Sequence, residues 1–306
     1  MLFLSQCING LQLGSIYALV ALGYSMVYGI IRLLNFAHGD VIMIGAYIAL
    51  LTIGAGVHPA LAVVLTILGC VMVSVLVEKV AYRPLRSAPR ISLLITAIGV
   101  SLLLQNLVQL FFSADTRAYP STAIIPAKAF DLGGLSLSLS TLVTIVVSVG
   151  SMVGLHLLIQ KTRMGKAMRA VSEDTGAAQL MGIDINKVIS ITFAIGSALA
   201  GVGSVLYCCR YSVANPTMGS LLGLKAFVAA VLGGIGSIPG AVVGAFIIGI
   251  AENIIKGLDI ILFKAGVIAG PMGLATFSDA FTFALLIIIL AVKPTGLFGE
   301  KITDKV

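Results

Sequence analysis

Apolar runs long enough to cross a bilayer recur along almost the whole chain, and nothing else restricts its possible folds so severely. A hydrocarbon core about 30 Å thick takes about 20 apolar residues of helix. Against that length, residues 6–31, 60–81, 91–112, 139–160, 188–209 and 275–292 each read as a crossing. Residues 41–54 are apolar but only 14 long, too short for a comfortable crossing. Residues 223–253 form a long apolar run broken by Gly233-Gly234-Ile235-Gly236-Ser237-Ile238-Pro239-Gly240, a cluster that cannot continue a helix. The expected fold class is therefore an all-α polytopic membrane protein. It reads as one transmembrane domain over residues 1–306, a bundle of about eight to ten transmembrane helices with short or re-entrant segments.

Composition excludes the alternatives. Apolar residues make up 59% of the chain and charged residues 10%, where a soluble domain has about half and about a quarter. Mean hydropathy is +1.12, and one globular core could not hide so much apolar surface. The net charge of +7 is not a nucleic-acid signature, because the basic residues sit mainly in short loops between spans. There it reports orientation, since Lys and Arg stay on the cytoplasmic side. The basic loops 82–90 and 161–187 are separated by two spans, so both fall on one side, the cytoplasm. Residues 113–139 and 210–222 fall outside, and 293–306 form a cytoplasmic tail. The first span has no basic stretch before it and reads as a retained signal anchor.

The spans are spaced for close contact. Gly10, Gly14 and Ala18 recur every four residues, as do Gly196, Ala200 and Ser204, and Ala241, Ala245 and Gly249; small residues at this interval let helix backbones approach. Each half also holds a short apolar segment beside a glycine-containing interruption, near residues 35–40 and 233–240. Paired broken segments point to a midplane pathway, although the residue similarity between the halves is too weak to define a repeat.

Four places carry candidate function. Residues 161–187 hold five basic and three acidic residues and read as a short amphipathic hairpin in water. Ala167, Met168, Val171, Ala177, Ala178, Leu180 and Met181 supply apolar positions between the charges. A partner docking there and a plain solvated loop are the two readings. Asn35, His38 and Asp40 lie beside apolar spans, where polar groups must pair or face water; they read as caps of the following helix or as pathway contacts. Gly233, Gly234, Gly236 and Ser237 read as a tight connection or as a gate. Glu252 and Asn253 read as a helix end paired with Lys256 one turn on, or as an ion-linked site in a gradient-driven secondary transporter.

Catalytic chemistry has no foothold. There is no GxxxxGK[ST] phosphate loop, and no Ser–His–Asp set can be assembled from spacing. His38, His58 and His156 form no ligand pair, and Cys7, Cys70, Cys208 and Cys209 read as small apolar fillers.

Four segments together resemble the branched-chain amino-acid ABC transporter permeases of the LivH type: YGIIRLLNFAHGDVIMIGAY from Tyr28, TRMGKAMRAVSEDTGAAQLMGID from Thr162, KAFVAAVLGGIGSIPGAVVGA from Lys225, and VKPTGLFGE from Val292. The resemblance covers nearly the whole chain. It implies that Glu173, Asp174, Gly176, Ala177, Ala178 and Gly182 form the loop that couples the permease to an ATPase, in a spelling that departs from the strict Glu-Ala-Ala of other importers. It also implies a second, LivM-like permease, two ATPase subunits that bind the ATP and Mg2+, a periplasmic or lipid-anchored substrate-binding protein, and a place in the bacterial inner membrane. No cofactor is expected in this chain. Urea or short amides are the alternative substrates within the same group.

Overall fold

The computed structural model describes residues 2–32, 34–86, 88–131, 136–264 and 273–299. The Gly133-Gly134 pair and the last seven residues of the tail lie outside them. The described residues form a helical bundle, and seven helices are long and apolar enough to cross a membrane. In chain order the helices are α1 (Leu2–Ile31), α2 (His38–Gly54), α3 (Pro59–Val77), α4 (Arg90–Phe112), the single turn α5 (Ser121–Ile124), α6 (Leu139–Lys161), α7 (Arg163–Glu173), α8 (Thr175–Leu180), α9 (Ile185–Tyr211), α10 (Met218–Gly233), α11 (Ile238–Lys264) and α12 (Ser278–Val292). The last of the seven spans is α12 with the helical turn before it, Leu274–Val292, and α2 and α10 are shorter apolar helices.

The two ends of the bundle are chemically distinct. At one end Arg86 donates to Asn186 at 2.6 Å, which brings the basic turn after α3 to the first turn of α9, at the end of the 161–187 hairpin. At the other end the two-residue strands β1 (Arg117–Ala118) and β4 (Val213–Ala214) pair antiparallel. Both basic segments therefore share one end, as the charge pattern requires. Residues 113–139 are not wholly irregular, since β2 (Ala129–Asp131) and β3 (Ser136–Ser138) also pair as a small antiparallel ribbon.

Helices α1 and α9 are the buried axis of the bundle. Leu13, Ile16, Leu19 and Leu22 of α1 and Phe193, Gly196, Ala200 and Ser204 of α9 are all buried. Around them α3, α4, α6 and α12 turn apolar side chains outward, among them Met72, Ile95, Leu110 and Ile287; this is the surface a bilayer covers. Backbones meet closely along α1 and α11, where a Cβ placed on Gly10 would lie 2.6 Å from Ile250 Cα and one on Gly249 2.4 Å from Gly14 Cα. The four-residue seams read from the sequence are these contacts, and they let dispersion contacts hold helices together where no hydrophobic force does.

The halves of the bundle repeat each other with inverted direction. A shift of 180 residues carries Pro59, the first residue of α3, onto Pro239 at the start of α11, Asn35 onto Asn215 and Gly39 onto Gly219. The same shift carries the ends of α1 and the starts of α2 onto those of α9 and α10. Arg32 and Ser212, each just past a long helix, share the left-handed φ of 54°, and Gly56 and Gly236 share positive φ values of 79° and 91°. Packing obeys the same relation: α1 lies along α11 as α9 lies along α3, and α10 lies on α11 and α1 as α2 lies on α3 and α9. The counterpart of residues 35–40 is thus 215–220, not the 233–240 cluster. Glycine content suggested the latter pairing, whereas backbone geometry, which tolerates Arg or Ser at one left-handed position, fixes the former.

Candidate functional site

The 161–187 hairpin is built from three capped helices. Thr162 accepts from Gly165 N at 3.0 Å to start α7, Asp174 accepts from Gly176 N and Ala177 N at 2.8 and 3.0 Å to start α8, and Asp184 accepts from Lys187 N at 3.2 Å to start α9. An acceptor side chain satisfies amide protons that the first turn of a helix leaves free. Met168 and Val171 of α7 and Ala178 of α8 are buried in the main core. Gly165 allows α7 to fold tightly back on α6, since a Cβ there would sit 2.1 Å from Ile159 O. The apolar positions read as one face are therefore divided: Ala177, Leu180 and Met181 are exposed, the last two by 90% and 82%. Glu173, Asp174 and Gly176 are exposed beside them, and Gly182 closes α8 with φ +81°. The hairpin is anchored in the core by α7 and ends in an exposed apolar tip beside Glu173 and Asp174.

Asn35, His38 and Asp40 meet inside the bundle, all buried. None caps α2: its N-cap is Ala37, with no side-chain bond. Instead Tyr82 donates to Asn35 Oδ1 at 2.7 Å, the His38 ring stands edge-on to Tyr24 at 5.0 Å, and Gln105 donates to Asp40 Oδ1 at 3.1 Å. Each of the three residues touches another helix in this way, while His38 Nε2 and Asp40 Oδ2 are buried without a hydrogen-bond partner. Asp40 still lies in the first turn of α2, where the helix dipole favours its charge. Here α2 and α10 cross at their N-terminal ends. A Cβ on Gly39 would lie 2.3 Å from Gly219 O and 2.8 Å from Gly223 Cα.

Gly233, Gly234, Gly236 and Ser237 form the turn between α10 and α11. Ser237 Oγ accepts from Gly240 N at 3.2 Å, and Gly234 has φ +106°. Gly233 passes Gly240 so closely that a Cβ would meet its carbonyl oxygen at 1.9 Å. The chain after α12 pairs with this turn, Leu297 N donating to Leu232 O and Phe298 N to Gly233 O at 2.9 and 2.8 Å. The geometry is that of a tight connection held from outside by the chain after α12.

The profile of the family described as "Branched-chain amino acid transport system / permease component" matches residues 6–290. The BraD permease protein of a high-affinity branched-chain amino acid transport system in Pseudomonas aeruginosa is 42% identical over 99% of this chain and 98% of its own. The LivH permease protein of Escherichia coli is 42% identical over the same shares of the two chains. The chain belongs to this permease family. Its fold is also that of solved ABC transporter chains: one described as of the metal-chelate type, inward-facing, superposes with a TM-score of 0.52 at 17% identity over 94% of this chain and 85% of that one. The permease is thus a multi-pass membrane protein, the permease component of a transport system.

Glu252 was singled out with its Lys256 partner but misplaced, and Lys225 and Glu78 escaped the sequence reading. Glu252 is not at a helix end: it lies within α11, fully buried, and accepts from Tyr17 at 2.7 Å, Lys225 at 2.8 Å and Lys256 at 2.5 Å. The Lys256 pairing was legible as i, i+4 spacing, but Lys225 arrives from α10 and could not be paired from sequence. Lys225 also bridges to Asp279 on α12 at 2.5 Å. Asn253 is buried too and accepts from Arg210 at 3.3 Å. Glu78 was passed over inside an apolar run. It is fully buried near the basic end, bound to Arg86 and accepting from Ser190 at 2.6 Å. Its signal was an acid eight residues before Arg86, at the edge of a span.

Proposed function

We propose that this chain is a permease subunit of an ATP-driven importer for branched-chain or related hydrophobic amino acids in the bacterial inner membrane. The observation that carries the substrate class is end-to-end identity of 42% with proteins named for branched-chain amino acid transport. The hairpin of residues 161–187 is the coupling element: two separate ATPases bind ATP and Mg2+, and one takes the apolar tip of Leu180 and Met181 into a groove. A second, LivM-like permease completes the pathway, and a periplasmic or lipid-anchored binding protein delivers the substrate. Asn35, His38 and Asp40 hold the crossing of α2 and α10, and that crossing shifts when the hairpin is driven.

The test is ATP-dependent uptake of labelled leucine in proteoliposomes containing all of these components, each omitted in turn. Loss of uptake on every omission is the expected result. Uptake that persists without the ATPases refutes the coupling. Glu173→Lys and Gly182→Leu should abolish uptake while the assembled complex still hydrolyses ATP; normal uptake in both removes the hairpin from the mechanism.

A further inference from the structure

The charged cluster around Glu252 stands in a cavity of about 290 Å3 bounded by α1, α9, α10, α11 and the start of α12. It lies toward the end of the bundle opposite the basic loops: Tyr17, which bonds Glu252, is little more than a turn along α1 from Gln12, and Gln12 meets Arg210 and the start of α6. Two cations, Lys225 and Lys256, face two anions, Glu252 and Asp279. Tyrosines, leucines and the small residues Ala275, Thr276 and Ser278 complete the lining, with the Tyr207 and Tyr211 rings 4.6 Å apart.

The inverted repeat supplies an internal control for what these charges do. Under the 180-residue shift Lys225 corresponds to Gly45, Glu252 to Met72 and Lys256 to Leu76. The α2–α3 pair packs without an ion at any of these places, Gly45 lying against Cys70 and Ser204, and Met72 and Leu76 turned outward. Met72 is turned outward where Glu252 is fully buried, so the charged cluster is particular to the second half. Buried ion pairs are costly to desolvate and often no better than apolar packing, and ionisable groups within membrane spans mark sites of function by default.

We propose that this cavity is a station for the zwitterionic head of an α-amino acid. This deepens the import reading and rests on it. The substrate carboxylate is received by Lys225 and Lys256 and its ammonium by Glu252 and Asp279. Its apolar side chain lies along Tyr207, Tyr211 and Leu221. A zwitterion inserted among two cations and two anions leaves the charges balanced. A solute with a single charge leaves one charge of the cluster uncompensated in a medium that penalises it. Sites built on paired polar groups reject analogues that lack one of the partners, so the cavity selects for both head groups at once and is permissive about the apolar tail.

The experiment is saturation-transfer NMR on the full complex in lipid nanodiscs without the binding protein, with leucine, 4-methylpentanoate (carboxylate only) and 3-methylbutylamine (ammonium only) as probes. Leucine should bind saturably, each analogue about tenfold or more weaker. Asp279→Asn and Lys256→Leu, the latter restoring the residue of the first repeat, should bring leucine down to the analogue level. Equal binding of the three probes overturns the site whether or not the variants assemble, and so does undiminished leucine binding in both variants. Uptake of labelled leucine by wild-type vesicles separates the two readings. Vesicles that accumulate leucine while the probes bind alike refute the site and leave the import reading standing. Vesicles that accumulate none refute the import reading, and the site with it.

Discussion

Gly39 and Gly219 lie backbone against backbone. A Cβ built on the first would stand 2.3 Å from the carbonyl oxygen of Gly219, and one on the second 2.5 Å from that of Gly39. The contact sits at equivalent positions of the two inverted halves, so each short helix is held at its N-terminal end by the other.

Gly39→Val and Gly219→Val should therefore force α2 and α10 apart. Overpacking of a tight contact costs about 1–3 kcal/mol, and the partner here is backbone that cannot rotate away. Both variants should melt several degrees lower in detergent and lose leucine uptake. Gly54→Ala, in the same short helix but with nothing within 4 Å, should behave as wild type in the same melting assay.

Asp174 caps α8 with two amide bonds. Asp174→Ala should cost about 1 kcal/mol of local stability, and Asp174→Asn, which keeps an acceptor oxygen, much less. Hydrogen exchange at Gly176 and Ala177 is the direct readout: faster in the Ala variant, near wild type in the Asn variant. If the tip must be rigid to transmit a stroke, uptake follows the same order.

Glu78 binds Arg86 and Ser190, tying the end of α3 to α9. Arg86→Ala leaves the buried carboxylate with the Ser190 hydroxyl. A hydrogen bond to a charged group contributes about 1.5–3 kcal/mol, so thermal unfolding should shift down by a corresponding amount. Adding Glu78→Gln to Arg86→Ala should recover part of the loss, because the uncompensated charge is then gone. A double variant less stable than either single one would show that the two groups act separately.

Tyr82 donates to Asn35 across the bundle. Tyr82→Phe leaves the Asn35 oxygen without that donor, at a cost of about 1–3 kcal/mol for an unsatisfied buried group. Asn35→Leu on the Phe background should be close to neutral beyond it, since both polar partners are then removed. A thermal-melt double-mutant cycle measures the coupling.

How much of this was legible depends on whether the signal was local. The long spans and the shared side of the two basic loops follow from periodicity and charge, both of which a linear reading captures. The short helices α2 and α10 showed only as an apolar stretch too short to cross and as a broken run. Their crossing depends on Gly39 and Gly219, which stand far apart in sequence. The cap assigned to Asn35, His38 and Asp40 failed because three helices supply partners that no spacing announces. Glu252 failed similarly: i, i+4 spacing found Lys256 and hid Lys225. The repeat was half seen, because its few identical pairs, such as Asn35 with Asn215 and Pro59 with Pro239, are scattered, and Arg32 and Ser212 share backbone shape without sharing a side chain.

The inverted arrangement also governs the order in which the chain can mature. The buried faces of α1 are covered chiefly by α11, with α9, α10 and α6 beside it, and α11 leaves the ribosome long after α1 has entered the bilayer. Until then Gln12 and Tyr17 have no Arg210 or Glu252 to bind, and the first helix must wait among lipids for the last third of the chain. Such long-range closure is slow and exposes half-built intermediates. A truncation before α11 should accordingly yield an inserted but unclosed chain, a substrate for membrane quality-control proteases rather than a smaller stable bundle.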